Sequence, residues 1–205
     1  MHIKEIIDIS YKILIEKISH KQINCNNEAS FQHELAYIIR SIGQLFLFND
    51  NDTFVLEFEK NYELSEPSIK SKSKLAVIDL YIQYGNIDYL SKCAIELKYY
   101  KKSNLREPNN RYDFFKDLHN LEQYKENGID LCYLILATDH LHYYNQNSYT
   151  DQTKDFDFRQ GRKYLAGTVL EYKTEKPYGV PIKLKNSYDF NWDIKDNIFF
   201  LKIEL

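Results

Sequence analysis

Isoleucine and leucine recur at helical spacing through IKEIIDISYKILIEKIS, with acids and lysines on the other side, and this period predicts a first helix. NCNNEAS is a polar break that supplies N-cap residues. After it, FQHELAYIIRSIGQLF places Phe31, Leu35, Ile38 and Ile42 on one stripe and predicts a second helix. Glu34 falls at the margin of that stripe, roughly 60° around from Phe31 at about 100° per residue. The period then changes. TFVLEFEKNY, KLAVIDLYIQ and YLSKCAIELKYY read as strands, the last two joined by the turn YGNID into an antiparallel hairpin, with ELSEPSIKSKSK as the loop before them. KKSNLREPNN reads as a polar linker, RYDFFKDLHNLEQYKEN as a helix closed by Gly128, and DLCYLILATD as a central strand covered on both faces.

The stretch from HLHYYNQNSYTDQTKDFDF onward is less regular. TVLEYKTE, VPIKLKN and NIFFLKIEL predict further strands, separated by turns at Pro177, Gly179 and NSYDFNWD. The whole order predicts a single α/β domain with a mixed central β-sheet flanked by helices and additional C-terminal strands. Its parts are an N-terminal helical extension over 1–28, a core over 29–137 and a less regular region over 138–205.

Two of the predicted strands carry charges that are expensive to bury without partners. Strand alternation puts Asp79 on a face with Val77, Tyr81 and Gln83, and Glu96 on a face with Ala94 and Lys98. If the hairpin turns both charged faces the same way, Asp79 and Glu96 converge within reach of one cation, with Lys98 beside them. Hard carboxylate oxygens suit Mg²⁺, which keeps several waters and takes further ligands from a substrate phosphate. A nearby lysine can orient the attacking water or stabilise the leaving charge, so the chemistry that fits is metal-assisted hydrolysis of a phosphodiester.

Net charge changes the expected mode of binding. At −3 the chain does not attract nucleic acid by its overall field, so contact requires a local basic surface or a metal bridge. Lys70, Lys72, Lys74, Lys101, Lys102 and Arg106 flank the two charged strands. Of these, Lys74, Lys101 and Lys102 are the candidate phosphate contacts, with solvated loop lysines as the bland reading. Cys25, Cys93 and Cys132 form no CxxC pair and read as reduced core packers. No apolar run approaches the roughly 20 residues that span a bilayer, and MHIKEIIDISYKILIEK carries acids where a signal peptide is uninterrupted. A cytoplasmic protein with no membrane partner is expected. His140 and His142 lack a third ligand at zinc spacing, and HEL at His33 lacks the second histidine of HExxH.

Asp79 late in one strand, followed by Glu96, Leu97 and Lys98 in the next, resembles the signature of the PD-(D/E)xK nuclease superfamily, which includes many restriction endonucleases and repair nucleases. The order of a helix, a three-strand meander, a helix and a fourth strand is similar to that superfamily's core. Ile78 stands where its proline is usually found. The resemblance implies a restriction-endonuclease-like fold and an Mg²⁺-dependent endonuclease, with Mn²⁺ as a substitute, acting on DNA in defence, restriction or repair. It implies Asp79 and Glu96 as metal ligands, Lys98 as the catalytic lysine, and Glu34 on the first core helix as a further acid of the site. Gln123, on the helix after the lysine strand, matches a glutamine that some relatives place near the metal-bound phosphate.

From roughly residue 76 onward, AIELKYY, RYDFFKDLHNLEQY, CYLILATDHLHYY, DFRQGRKYLAGT and FFLKIEL are similar to a widespread bacterial family of PD-(D/E)xK-like proteins without a settled activity. Where many of those relatives carry His and Glu near the glycine of DFRQGRKY, Gln160 and Arg162 stand here.

Glu171-Tyr172-Lys173, with Asp157 upstream, is a second ExK match, but Asp157 lies in KDFDFRQGRK, which does not read as a buried strand. Bland readings accompany each site residue. Asp79 can be a partly buried acid paired with a lysine of KSKSK, Lys98 the start of the solvated run YYKK, Glu34 a solvated helix margin, and Gln123 an exposed helix polar. The alternatives to a nuclease are a non-catalytic nucleic-acid or protein binding module of the same fold, and a nuclease subunit active only with a partner or as a homodimer.

Overall fold

A computed structural model describes residues 2–205. The N-terminal period forms α1 (His2–Ser19). The second helix, α2 (Glu28–Gln44), starts upstream of Phe31 because Asn27 caps it: its Oδ1 accepts the Ser30 N–H at 2.8 Å, and the Ser30 hydroxyl accepts the Asn27 N–H at 3.1 Å. That early start puts Glu28 in the first turn.

Three long strands follow as an antiparallel meander, β1 (Thr53–Glu63), β2 (Leu75–Gly85) and β3 (Leu90–Tyr100). At the β2–β3 turn a Cβ on Gly85 would lie 2.2 Å from the Tyr89 carbonyl oxygen, so only glycine closes this hairpin. The expected linker KKSNLREPNN is instead a 3₁₀ turn at Lys102–Asn104 and the beginning of α3 (Glu107–Glu126). Pro108 sits in the first turn of α3, where an N–H is not needed. Gly128 follows the helix at φ +94°, as its predicted terminating role requires.

The most apolar run is β4 (Leu131–Thr138), parallel to β3 with Glu96 opposite Leu134 and Lys98 opposite Leu136. A short helix, α4 (Leu141–Asn145), leads into the irregular region. There β5 (Lys163–Tyr164) pairs with β8 (Tyr188–Asp189), and β6 (Val169–Leu170) with β7 (Ile182–Lys183). TVLEYKTE and VPIKLKN are therefore strands only over these short pieces. NSYDFNWD is not turn alone, since it holds β8 and the start of β9 (Trp192–Lys195). With β10 (Ile198–Glu204), β9 extends the main sheet, whose order is β1-β2-β3-β4-β10-β9.

Helices cover both faces. Ile6, Leu14, Phe31 and Leu35 of α1 and α2 pack on Leu80, Ile82, Ile95, Leu97 and Ile135. On the other face Phe114, Leu118 and Leu121 of α3, with Phe156, Phe158 and Phe190, pack on Ala94, Leu134, Leu136 and Leu201. α1 packs in the same core layer as α2, and β10 covers the edge of β4 that would otherwise be unpaired. Among the described residues no helix is long and apolar enough to cross a membrane. All three cysteines are free and buried.

Strict alternation holds in β3 and fails in β2. Ala76 and Ile78 join the α3 layer, whereas Leu80, Ile82 and Tyr84 join the α1 and α2 layer, so the strand changes face at Asp79. Its β1 neighbour Glu59 is left-handed at φ +49°, the β1–β2 ladder skips this position, and β2–β3 pairing ends at Leu80 and Ile95. The sheet opens at Asp79.

Candidate active site

Asp79 bridges the opening it creates. Its Oδ2 accepts the Leu97 N–H at 2.7 Å, a donor that continued strand pairing would give to a backbone carbonyl, and its own carbonyl accepts the Gln32 amide at 2.7 Å. Glu96 and Lys98 leave β3 on the face covered by α3. Glu96 is fully buried, with Oε1 3.1 Å from the Tyr124 hydroxyl and Oε2 2.9 Å from Lys70 Nζ. Lys98 is 9% exposed and so is not the start of a solvated run. Its Nζ lies 2.8 Å from Asp117 Oδ2 and 3.4 Å from Glu28 Oε1, and it donates to the Leu97 carbonyl at 2.9 Å. Lys70 Nζ is also 2.8 Å from Asp117 Oδ1, at ion-pair distance off the line of a hydrogen bond.

Burial dominates the electrostatics, and neighbouring charges decide each outcome. Asp79 is raised to about 6 by burial, against the pull of Lys98, Lys70 and the Leu97 N–H. Burial and then the Asp79 charge push Glu96 well above the usual carboxylate range. The Tyr124 hydroxyl lies 3.2 Å from the Val77 carbonyl as well as near Glu96. The Tyr124 hydroxyl is thus shared between two acceptors, the Glu96 carboxyl and the Val77 carbonyl. Burial opposes ionisation of Asp117 too, but Lys98 and Lys70 hold it below the usual range. The two lysines, which burial would discharge, are held charged above their ordinary value by Asp117 first of all.

Two cavities meet at the lysines. One of about 360 Å³ is bordered by Asp79, Glu59 and Glu28 with Lys70 and Lys98. The other, about 470 Å³, carries Lys70, Lys98, Lys101, Arg106 and Lys116 against Glu28, Asp113 and Asp117. Lys70 and Lys98 thus form a wall between an acidic and a basic compartment.

Asp79, Glu96 and Lys98 lie close enough for their charges to interact, although β2–β3 pairing ends before them and Asp79 gets there by a break in alternation. Glu34 is a correction. It borders neither cavity and lies beside Cys25, whose thiol is pushed up to about 11 by burial and then by the Glu34 charge. Glu34 is roughly 160° around α2 from Gln32 at about 100° per residue, and Gln32 is the residue that touches Asp79. Glu28, one turn before Gln32, is the acid of α2 that reaches Lys98.

Gln123 fits neither of its readings: it is buried rather than exposed, and it borders neither cavity. Lys101 lines the basic cavity. Lys74 and Lys102 are exposed away from both cavities, their backbones tied to Leu64 and Asp139. Lys70, expected on a basic surface, is instead inside the site.

Sequence reading missed Asp117, although a signal was present. It falls with Asn110, Phe114, Leu121 and Tyr124 at helical spacing, an acid within the buried stripe of α3. Glu28 was missed because the helix start was placed after it.

The other motifs have structural roles. Asp157 of the second ExK match is buried against Arg159 at 2.7 Å, and Lys173 turns to Asp155. Gln160 accepts the Trp192 N–H at 2.8 Å, and Arg162 lies over the Tyr164 ring. His140 immediately precedes α4, and its Nε2 is 2.9 Å from Glu107. Burial lowers His142 to about 4.

Among the described residues no three His, Cys, Asp or Glu side chains stand close enough together to hold a metal ion. At the carboxylate cluster, Lys70 fills the place between Glu96 and Asp117. In type the donors still fit a hard divalent cation, since Asp79, Glu96 and Asp117 offer carboxylate oxygens and a largely hydrated Mg²⁺ needs only one or two of them. No family model, curated protein or solved structure matches this chain.

Proposed function

We propose that the protein is an Mg²⁺-dependent nuclease of restriction-endonuclease-like fold that hydrolyses phosphodiester bonds in DNA. One observation carries the proposal: Asp79 and Lys98 come from adjacent strands to one cavity bordered by Glu28 and Glu59, with Glu96 buried behind them and close enough to feel the Asp79 charge. The connectivity supports it, since α2, the antiparallel β1–β2–β3 meander, α3 and the parallel β4 follow the order of that nuclease core.

Asp79, where β2 and β3 part, and the neighbouring Glu96 would hold the cation. When bound, a hard divalent ion supplies Lewis acidity and lowers the pKa of water. Lys98 presents a fixed ammonium to the attacking water or the leaving oxygen. Asp117 is a positioning residue, because it holds that ammonium in place and charged. Lys101, Arg106 and Lys116 line the wall that receives the phosphate backbone, while Tyr124 orients Glu96.

The test is incubation of linear and circular DNA and of RNA with the protein in Mg²⁺ and in Mn²⁺. Asp79→Ala and Lys98→Met, each checked for native circular dichroism, are the controls. Wild-type protein is expected to cleave DNA and both variants to lose cleavage. Activity that survives both substitutions rejects the assignment. The second reading is a non-catalytic nucleic-acid binding module, favoured by the full pairing of Lys70 and Lys98 with carboxylates. DNA binding without cleavage in either metal selects it.

A further inference from the structure

We propose that the Lys70 ammonium is the protein's own cation in the carboxylate pocket, and that a divalent metal ion enters only by displacing it. The inference rests on the nuclease reading for the metal site and adds its regulation. Lys70 comes from the loop between β1 and β2, outside the sheet, yet its Nζ lies 2.9 Å from Glu96 Oε2 and 2.8 Å from Asp117 Oδ1. One nitrogen therefore joins β3 to α3. An Mg²⁺ ion bonds carboxylate oxygen at about 2.0–2.1 Å, and a metal held by Glu96 cannot share Oε2 with an ammonium already in contact. Lys70 and the metal are alternatives for one place.

The loop is fixed at its base, and the Lys70 side chain is held beyond it only by its two carboxylate partners. Ser68 is buried; its hydroxyl donates to Asn120 Oδ1 at 2.6 Å and accepts the Lys70 N–H at 2.9 Å, and its carbonyl accepts the Lys72 N–H at 2.8 Å. These bonds hold the Lys70 backbone. Its side chain is 33% exposed and lies on the wall common to both cavities. Rotation about side-chain bonds alone carries the ammonium from the carboxylates into the basic cavity, where a phosphate is its alternative partner. Metal entry thus delivers one more positive charge to the substrate side.

The experiment titrates Mn²⁺ calorimetrically into the wild-type, Lys70→Gln and Asp79→Ala proteins. An ammonium seated in about nine of ten molecules weakens apparent affinity about tenfold. Lys70→Gln is therefore expected to bind Mn²⁺ about tenfold more tightly than wild type, and Asp79→Ala to lose binding.

A second measurement uses wild-type protein alone: acylation of amines, read residue by residue by mass spectrometry, should protect Lys70 without metal and expose it with Mn²⁺. Unchanged or weaker affinity in folded Lys70→Gln, or Lys70 acylation indifferent to Mn²⁺, overturns the inference; DNA cleavage by wild type then leaves the nuclease reading standing. Failure of Mn²⁺ to bind either wild type or Lys70→Gln overturns both. Tighter binding by Lys70→Gln without cleavage by any of the proteins upholds displacement and rejects the nuclease.

Discussion

Lys98 Nζ and Asp117 Oδ2 lie 2.8 Å apart, a strand lysine and a helix aspartate joined in one buried ion pair. Asp117 also faces Lys70, so Asp117→Ala takes a carboxylate from two ammonium groups at once and leaves Lys98 only the 3.4 Å carboxylate contact to Glu28. Removing one partner of a buried pair costs about 3–5 kcal/mol, and that loss is expected in urea denaturation near neutral pH. The apolar double substitution Lys98→Met with Asp117→Leu should recover a large part of it. A single-variant loss within about 0.5 kcal/mol, typical of surface substitutions, would show that the pair does not organise the site.

Asp79 gives stability a pH dependence with a definite sign. Its folded pKa of about 6 lies above the ordinary 3.8, so its contribution is fully present below 3.8 and is lost as pH rises through about 6. Asp79→Asn is uncharged at every pH, and its amide oxygen can still accept the Leu97 N–H. Relative to wild type the variant is expected to gain on the order of 2 kcal/mol at about pH 8 and little at about pH 4. Chemical denaturation across that range checks it. Parallel stability profiles for the two proteins contradict the assignment.

Lys101 borders the basic cavity while Lys74 and Lys102 do not, which separates three lysines that the sequence presents alike. If the cavity holds a nucleic-acid backbone, Lys101→Ala lowers the slope of log affinity against log salt by about 1. Lys74→Ala and Lys102→Ala leave the slope unchanged. Fluorescence anisotropy with labelled DNA at several salt concentrations measures all three. Equal effects would place the backbone elsewhere.

Much of the fold is legible along the chain because burial imposes local periods. The repeat of Ile and Leu in α1, the stripe of α2 and the apolar run of β4 each need only their own neighbours to be read. The same is true of Glu96 and Lys98, whose shared face follows from β3 alone. The irregular region was not legible. Its two short strand pairs and β9 are too short to show a period, and they are held by Phe156, Phe158 and Phe190 packing on α3.

The sequence by itself determined the helices, the meander, and that Asp79, Glu96 and Lys98 belong together, since charge inside an apolar strand is costly enough to demand a reason. Only the tertiary structure decided how they are joined. It turned β2 at Asp79, chose Glu28 over Glu34 through the rotation of α2 on the sheet, brought Asp117 in on α3, and delivered Lys70 from a loop with no period at all. Those choices depend on how whole elements pack against one another, and no spacing within one element encodes them.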